Sequence, residues 1–390
     1  MAVSEQTRWR SGGRTGKNAR RGSAVIEQMP LRLPINTDHP TKPLQEAGVA
    51  AIHEGAMRTL EEIGAEFLNT EALEILRHAG CSIDVLNVRM GRDFMMEMVA
   101  KVLSKFTLTP RNRDRQLIIG GKYLLFDNVS YPPNYWDIKL GGKLPGTREM
   151  CQNLIKPSQY FNCIHFLGGY PVEPADLHAS TRHLDVLYDK LTLSDKVVHA
   201  YSLGKERVED VMEMVRIAGG HSYEELEQSP KMFTNINSIS PLKHDVPMLD
   251  GWMRFAKRNQ GLIVTPFTLA GAMAPVTISG AVAQSIAEAL CAVALAQYIR
   301  LGVACAIGTF TSNVDMKSGT PAFSTPEYMR ATLMTGQLAL FYGLPMRSSG
   351  VCAANVLMAN PCGRPQTACG LRCNRAAILS IMRLVGSRVD

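Results

Sequence analysis

The chain has 390 residues, an ordinary apolar content of 46% and a formal net charge of +7. This length is enough for one large domain or two smaller ones, each with a substantial core. The excess of basic residues lies in residues 1–30 and 357–390, so the residues between these ends are nearly neutral. A nearly neutral body argues against a nucleic-acid-binding domain.

The N-terminal third is predicted to begin with a tail and continue as helices. Residues 1–30 contain no apolar run and are rich in Gly, Ser and Arg, which predicts a disordered basic tail and not a secretory signal. Apolar residues at helical spacing then predict helices over 43–67, 70–79 and 93–105. We therefore expect an N-terminal helical cap over residues 31–115.

The rest of the chain alternates between strand-like and helical patterns. Residues 116–130, with Gly120 and Gly121 at their centre, predict a β-hairpin. Further strands are predicted, counting the first from within this hairpin, at 123–128, 163–168, 197–203, 232–239, 262–266, 303–310 and 344–350. Helices are predicted between them at 178–191, 207–218, 247–260, 278–300 and 326–342.

This alternation predicts an α/β fold. Strands separated by whole helices pair in parallel, because a short hairpin cannot return the chain in the same direction. None of the predicted strands is followed by the glycine motif of a dinucleotide-binding or phosphate-binding loop. Seven consecutive units without such a motif favour a (β/α)8 TIM barrel over a doubly wound sheet.

The longest apolar helix and the cysteines bear on cellular location. Gln284, Ser285 and Glu288 lie inside the predicted helix 278–300 and would be unfavourable in a bilayer, so we expect a buried helix and no membrane association. The nine cysteines form no CxxC pair. Together with the lack of an export signal, this predicts a cytoplasmic location.

Candidate ligand-binding residues follow the predicted strands, because the chemistry of a barrel lies in these loops. The loops after the fourth to seventh strands are rich in amide and hydroxyl groups and poor in charge, which suits a small polar ligand. Asn, Ser and Thr at such positions more often cap a helix or form a turn. Phe267 and Phe310 are core residues by default, yet each could present its face to an ammonium group. The predicted substrate-facing residues are Asn235, Asn237, Phe267, Thr268, Phe310, Thr311, Asn313, Asp315 and Ser349.

Signals for a metal or a catalytic nucleophile are weak, and no catalytic residue is identified. His178 and His183 are five residues apart on a predicted helix, so they do not share a face and make poor zinc ligands. His165 and His199 fall on predicted strands and could point into a barrel, although a buried structural histidine is the commoner outcome. We therefore expect no metal site.

Two stretches of the chain resemble a known family. The stretch "TPFTLAGAMAPVTISGAVAQSIAEALCAVALAQYIRLG" and the earlier "HEGAMRTLEEIGAEF" resemble the trimethylamine:corrinoid methyltransferase family, and the likeness extends over about residues 30 to 356. The resemblance implies a (β/α)8 barrel that gives a methyl group from a methylated amine to the cobalt of a corrinoid (cobalamin). A separate partner protein would carry the corrinoid, and this chain would bind none directly. The barrel would hold the ammonium, align the methyl group and exclude water.

The sequence departs from the family pattern near the seventh strand. Members that use trimethylamine carry pyrrolysine there, whereas residues 347–352 are all standard amino acids in this chain. Members without pyrrolysine are similar to demethylases of quaternary amines such as glycine betaine. The resemblance therefore implies a quaternary amine more than a tertiary one.

A second departure concerns the end of the chain. From residue 357 onward the sequence no longer resembles the family and has no acidic residue except Asp390. Read one nucleotide out of frame with plausible codons, it can encode a helix and then a strand. We therefore expect residues 116–356 to form an incomplete barrel whose last helix and strand are missing or replaced, followed by an out-of-frame tail over 357–390.

Three functions remain open at this point. The leading one is methyl transfer in one-carbon metabolism. An inactive truncated fragment is the first alternative, because a barrel without its eighth strand has two unpaired edges. A barrel that binds a small molecule without catalysis is the second. The sequence also leaves homo-oligomerisation open.

Overall fold

A computed structural model describes residues 27–349, apart from residues 138, 202 and 324, and the backbone of residues 377–380. The α-helices are α1 (Glu46–Arg58), α2 (Thr70–His78), α3 (Arg92–Ala100), α4 (Arg148–Tyr160), α5 (Arg182–Leu193), α6 (Lys205–Gly219), α7 (Tyr223–Gln228), α8 (Val246–Lys257), α9 (Ile278–Ile299) and α10 (Pro326–Tyr342). The first ten strands are β1 (Ala65–Phe67), β2 (Ser82–Asp84), β3 (Asn87–Arg89), β4 (Lys105–Leu108), β5 (Leu117–Gly120), β6 (Leu125–Asp127), β7 (Asn134–Asp137), β8 (Gly142–Pro145), β9 (Phe166–Leu167) and β10 (Val197–Val198). The remaining strands are β11 (Phe233–Ile236), β12 (Lys243–His244), β13 (Gly261–Val264), β14 (Leu269–Ala270), β15 (Cys305–Gly308), β16 (Ser312–Asn313), β17 (Met346–Ser349) and β18 (Ala377–Ser380).

Eight of these strands form one parallel sheet in the order β10-β9-β6-β18-β17-β15-β13-β11. His199, directly after β10, forms a parallel bridge with Phe233 of β11, so the strands at the two ends of this order are also bridged. Helices separate most successive strands along the chain, which makes this a mixed α/β fold. Each of the seven predicted strands overlaps a strand of the sheet, so that prediction is confirmed.

The eighth strand, β18, comes from within the tail that we predicted to be out of frame. It pairs with β17 on one side and with β6 on the other. The edges of β6 and β17, expected to be unpaired in an incomplete barrel, therefore both have a neighbouring strand. The rest of residues 357–390, like residues 1–26 of the predicted basic tail, lies outside the described residues.

The predicted hairpin over residues 116–130 is wrong. Its first half, β5, pairs antiparallel with β4, while its second half contains β6 of the parallel sheet. Gly120 and Gly121 have φ angles of +94° and +60°, a conformation that glycine adopts without a steric penalty. They turn the chain out of the β4–β5 hairpin and into β6.

The N-terminal region has the three predicted helices and also strands that were not predicted. Strands β1, β2 and β3 form a small sheet with β12, in the order β12-β1-β3-β2. The helix predicted over 43–67 is shorter, because α1 passes into a π-helical turn at Thr59–Ile63 that ends at Gly64, with φ +85°. The β7–β8 hairpin and α4 were also missed; α4 is rich in polar residues and contains Pro157.

Helix α9 lies at the centre of the packing between sheet and helices, in contact with α1, α3, α8 and α10. Within the described part of the chain it is long and apolar enough to cross a membrane, but most of it is buried inside the protein, as predicted for a core helix. Glu288 is fully buried and accepts hydrogen bonds from Ser238, from Ser240 (2.7 Å) and from the Leu242 amide (2.9 Å). Its side-chain oxygens therefore have hydrogen-bond donors in the loop after β11.

On one face of the parallel sheet the side chains form two layers. The lower layer is apolar and packs against the β4–β5 hairpin; from the sheet it contains Leu125, Phe166, Val197, Phe233, Ile263 and Ala306. Because side chains alternate along a strand, residues two positions later face the same way. This upper layer contains Asp127, His199, Asn235, Thr265 and Gly308. Met346 packs in the outer cluster, so the next residue of β17, Arg347, joins the upper layer.

Candidate functional site

The centre of the upper layer is a chain of polar contacts. The Asn235 amide donates to Nε2 of His199 (3.1 Å), and Oγ1 of Thr265 donates to Oδ1 of Asn235 (2.7 Å). A backbone amide can only donate, so Nε2 is unprotonated and Nδ1 carries the ring proton. Burial, with Lys190 and Arg347 nearby, lowers the pKa of His199 well below its usual value. His199 is therefore a neutral hydrogen-bond donor at neutral pH.

Lys190 fixes the ends of two strands next to this layer. Its side chain, on α5, is almost fully buried and donates to the carbonyls of Gly168 (2.7 Å) and His199 (3.2 Å), which follow β9 and β10. Burial lowers the pKa of Lys190 to about 8. Within the described residues it has no carboxylate partner, so it adds positive charge beneath the site.

Three tyrosines cluster in the loops after β6, β9 and β10. The ring centroids of Tyr131 and Tyr170 are 5.1 Å apart, and Tyr201 stacks on Tyr170 at 5.7 Å. Tyr131 also meets the His199 ring edge-on at 6.1 Å. Burial raises the pKa of Tyr131 and Tyr170, so both hydroxyls stay protonated at neutral pH. This tyrosine cluster was not predicted, although an aromatic residue shortly after three successive strands was a readable signal.

Three phenylalanines cluster in the loops after β13 and β15. Phe267 lies 6.2 Å from Phe310 and 6.0 Å from Phe323, measured between ring centroids. All three rings are half-buried. The structure thus brings together the two phenylalanines predicted as ammonium contacts, and adds Phe323, which was missed.

Arg347 lies beside the phenylalanine cluster and near Tyr131 of the tyrosine cluster. Its guanidinium carbon is 5.8 Å from the centroid of the Phe310 ring, and its charge is close enough to Tyr131 and His199 to lower the pKa of each. The side chain is half-buried. Among the described residues, none forms an ion pair or hydrogen bond with the guanidinium. Sequence reasoning did not select Arg347, because the direction of its side chain depends on the register of β17.

Two of the predicted substrate-facing residues, Thr268 and Thr311, form a hydrogen bond with each other. The hydroxyls of Thr268 and Thr311 are 2.6 Å apart and fully buried, and Thr309 donates to Thr311 at 3.0 Å. The short strands β14 and β16 begin beside this pair and lie parallel. These hydroxyls therefore hold the loops after β13 and β15 together, and their contact with a substrate stays a prediction.

Three further predicted residues form hydrogen bonds within the protein. Asn237 is exposed, with its amide 3.2 Å from that of Asn235. Asn313 accepts from the hydroxyl of Thr325, the N-cap of α10, at 3.2 Å. The buried Ser349 accepts at its carbonyl from the Tyr328 hydroxyl at 2.9 Å.

Asp315, one of the predicted substrate-facing residues, is exposed and closes its own turn. It accepts from the Ser318 hydroxyl at 2.7 Å and from the Lys317 amide at 3.1 Å. These hydrogen bonds lower its pKa. These contacts identify Asp315 as a turn-forming residue, and its contact with a substrate stays a prediction.

Metal-ligating side chains do not gather in threes anywhere in the described ranges. His165 comes directly before β9 and His199 directly after β10, so each lies next to a strand of the sheet. His165 accepts from the Phe126 amide (3.0 Å) and bonds the Arg32 carbonyl (3.0 Å), so both its ring nitrogens have structural partners. The absence of a metal site stays a prediction.

Comparison with known proteins points to one family. The sequence pattern of the family described as trimethylamine methyltransferase (MTTB) matches residues 10–362. The glycine betaine methyltransferase of Desulfitobacterium hafniense (strain Y51) is 33% identical over 312 residues, 79% of this chain and 64% of that protein. The L-carnitine:corrinoid methyltransferase of Eubacterium limosum is 24% identical over 314 residues, 77% of this chain and 63% of that protein.

The proline betaine:corrinoid methyltransferase of the same organism is 21% identical over 308 residues, 77% of this chain and 63% of that protein. The chain thus spans less than two thirds of the length of these relatives. A solved dihydropteroate synthase of Coxiella burnetii has a TM-score of 0.40 at 12% identity, over 70% of this chain and 92% of that one. That likeness is too weak to support an argument about fold or function.

Proposed function

The chain belongs to the trimethylamine methyltransferase (MTTB) family, and from this premise we propose that it moves a methyl group from a methylated amine to the cobalt of a corrinoid carried by a partner protein. The observation that carries the proposal is the pair of aromatic clusters beside a neutral polar layer. Aromatic faces attract quaternary ammonium groups. Relatives are named for glycine betaine, proline betaine and carnitine, which supports a quaternary amine.

We propose that the eight parallel strands close into a (β/α)8 barrel. The bridge between His199 and Phe233 supports closure, because it joins the two ends of the strand order. The β4–β5 hairpin would cover the lower end, where it packs on the apolar layer. Both aromatic clusters follow the carboxyl ends of the strands, where barrel enzymes carry their active sites. Residues 31–115 would form a cap, since α1 and α3 pack against α9.

The chain's own residues would bind and orient the amine and exclude water. When the methyl carbon–nitrogen bond breaks, the nitrogen keeps the electron pair, so a quaternary amine leaves as a neutral tertiary amine without a proton donor. The neutral His199 and the protonated tyrosines fit a site that supplies hydrogen bonds and ring faces and does not need a strong acid. Holding the methyl group in line would be the main contribution to rate.

The partner would approach the face that carries the aromatic clusters. Apolar side chains project from the loops there: Leu140 between β7 and β8 is 73% exposed, Val276 before α9 is 80% exposed, and Met316 after β16 is 94% exposed. Contiguous exposed apolar patches mark protein-binding surfaces, and we propose that these three side chains belong to one such patch. We propose that the corrinoid is held by the partner and not by this chain, and that both proteins are cytoplasmic.

The test is a methyl-transfer assay with the full chain. A corrinoid protein of a relative, reduced to cobalt(I), is mixed with the chain and with trimethylamine, glycine betaine, proline betaine or carnitine, and the corrinoid absorption is followed. We expect a change with at least one quaternary amine and none when the chain is omitted. Folded protein that binds an amine without any transfer would support the small-molecule-binding alternative. Neither binding nor transfer would support the inactive fragment.

A further inference from the structure

We propose that Glu288 is a positioning residue of the site: from the core helix α9 it fixes the loops after β11 and β13, which carry candidate ligand-binding residues. This inference rests on the proposed function and concerns how the same site is held in place, whichever methylated amine it takes. Glu288 would act through these loops and not by contact with the amine.

The first support is the set of hydrogen bonds around the carboxylate. Glu288 is fully buried. One of its oxygens accepts from the Leu242 amide at 2.9 Å and from Nε2 of Gln284 at 2.8 Å. The other accepts from the hydroxyls of Ser238 and Ser240. A carboxylate has acceptor sites for about four hydrogen bonds, so its capacity is used in full, and such a satisfied buried network is rigid.

The second support is where the bound loop leads. Ser238 directly follows Asn237, whose amide lies 3.2 Å from that of Asn235 in the upper layer. The Asn235 side chain accepts from the Thr265 hydroxyl at 2.7 Å, and its backbone amide donates to His199 at 3.1 Å. A shift of Ser238 would therefore move the residue before it and disturb the hydrogen bonds of the upper layer.

The third support is a link to the loop after β13. Gln284 lies one turn before Glu288 on α9, and its nitrogen donates both to Glu288 and to the Met273 carbonyl, the latter at 2.9 Å. Met273 lies between Phe267 of the phenylalanine cluster and the exposed Val276. One carboxylate and the neighbouring amide thus hold both loops against α9.

The fourth support is a strained backbone at the point of attachment. Leu242 has a φ angle of +53°, which is uncommon for a residue other than glycine. Its amide donates to Glu288, and its carbonyl accepts from the Glu66 amide of β1 at 2.8 Å. Such a conformation persists only where the surrounding contacts hold it. Without the carboxylate the loop would relax to another shape, which is a larger change than a loss of stability alone.

The test compares two buried residues of α9. Gln297 is the matched control, because it is also fully buried and holds a loop, through the Gly302 amide and the Val303 carbonyl (both 2.8 Å), but this loop leads into β15 at the amino end of the strand. Methyl transfer by the full chain is measured as above, with the same four amines, for the wild type, Glu288→Leu, Glu288→Gln and Gln297→Leu. Thermal unfolding gives the folded fraction of each protein, and hydrogen exchange reports on the Leu242 amide.

We expect Glu288→Leu to lower kcat about 10- to 100-fold for the same amount of folded protein, with a smaller change in KM, because a small displacement of a bound substrate can cost that much. Exchange of the Leu242 amide should become about 10-fold faster or more. Glu288→Gln should restore most of the activity, because its oxygen can face Leu242 and Gln284 while the serine hydroxyls accept from its nitrogen. Gln297→Leu should lower stability and leave kcat unchanged.

An unchanged kcat in Glu288→Leu, or an equal fall in Gln297→Leu, would overturn the positioning role and leave methyl transfer standing. If Glu288→Leu does not fold, Gln284→Leu replaces it, since this variant releases Met273 and leaves Glu288 its donors in the loop after β11. It should lower kcat about 3- to 10-fold, as loss of one buried hydrogen bond does, and an unchanged kcat would again overturn the role. Absence of transfer by the wild type with all the amines would overturn the proposed function and this inference with it.

Discussion

The two layers inside the parallel sheet differ in chemistry although they lie only two residues apart on each strand. Along β11 the lower residue is Phe233 and the upper one is Asn235; along β13 they are Ile263 and Thr265. The lower residues pack against one another and the β4–β5 hairpin, whereas the upper ones exchange hydrogen bonds around His199. From this contrast we expect the lower layer to contribute mainly to stability and the upper layer to ligand binding.

The largest expected effect is on stability, from the lower layer. Phe233 is 4% exposed and packs against the rings of Phe166 and His199 at 5.3 and 5.1 Å. Phe233→Ala should lower the free energy of unfolding by about 3–5 kcal/mol. Asn235→Ala, two residues later, should cost about 1 kcal/mol through its lost hydrogen bond but weaken amine binding. Urea unfolding measures the change in stability, and calorimetry measures the change in amine binding. A smaller loss of stability in Phe233→Ala than in Asn235→Ala would break the comparison.

A second prediction tests how tightly the upper layer is packed. A Cβ atom on Gly308 would lie 2.5 Å from Oγ1 of Thr265. Gly308→Ala should therefore destabilise the protein by about 1–3 kcal/mol, as overpacking does. In a Thr265→Ala background the hydroxyl is gone, so the same change should cost less. Urea unfolding of the wild type, the two single variants and the double variant gives the coupling free energy between the two substitutions. Strictly additive effects would mean that the upper layer can accommodate the extra methyl group.

A third prediction concerns the buried His244 on β12, which lies outside the two layers. His244 is fully buried next to Phe67 and Cys291, and burial lowers its pKa to about 4. The unfolded chain takes up this proton near pH 6.5, so the stability from a neutral His244 is complete above that pH and is lost as the pH falls towards 4. At pH 5 the loss is about 2 kcal/mol.

The measurement is a double difference. The free energy of unfolding is compared at pH 8 and pH 5 for the wild type and for His244→Gln, which removes the titrating group. The variant should lose less stability between these pH values, and its own pH-independent cost cancels. An equal loss of stability in both proteins would mean that His244 is protonated at pH 5 in the folded state and is accessible to water.

Much of the fold could be predicted, because the spacing of apolar residues and the length of each segment distinguish strands from helices. The hairpin over 116–130 failed because the true partner of β5 is the upstream strand β4, and pairing is a tertiary property. Helix α4 was missed because its polar sequence gives little apolar periodicity.

From the sequence, residues of the candidate site could be predicted only by their position directly after a strand. Asn235, Phe267 and Phe310 followed from that position. Thr265 and Arg347 did not, and His199 was named only as a histidine that could point inward, because choosing among adjacent strand residues requires knowing the face of the sheet on which each side chain lies. A similar ambiguity affects the serines and threonines after the strands. A residue that holds two loops together and a residue that binds a substrate look the same in the sequence.

The smallest expected effect separates those two roles at Thr268. Its hydroxyl meets that of Thr311 at 2.6 Å and both are fully buried, so Thr268→Val, which keeps the shape, should cost about 1 kcal/mol of stability. Adding Thr311→Val should cost less than it does alone, because its partner is already gone. Amine affinity should stay the same in calorimetry, since the hydroxyl serves the loops. A fall in affinity of more than about 3-fold, or roughly 0.6 kcal/mol, would instead show that Thr268 belongs with the upper layer and contacts the substrate.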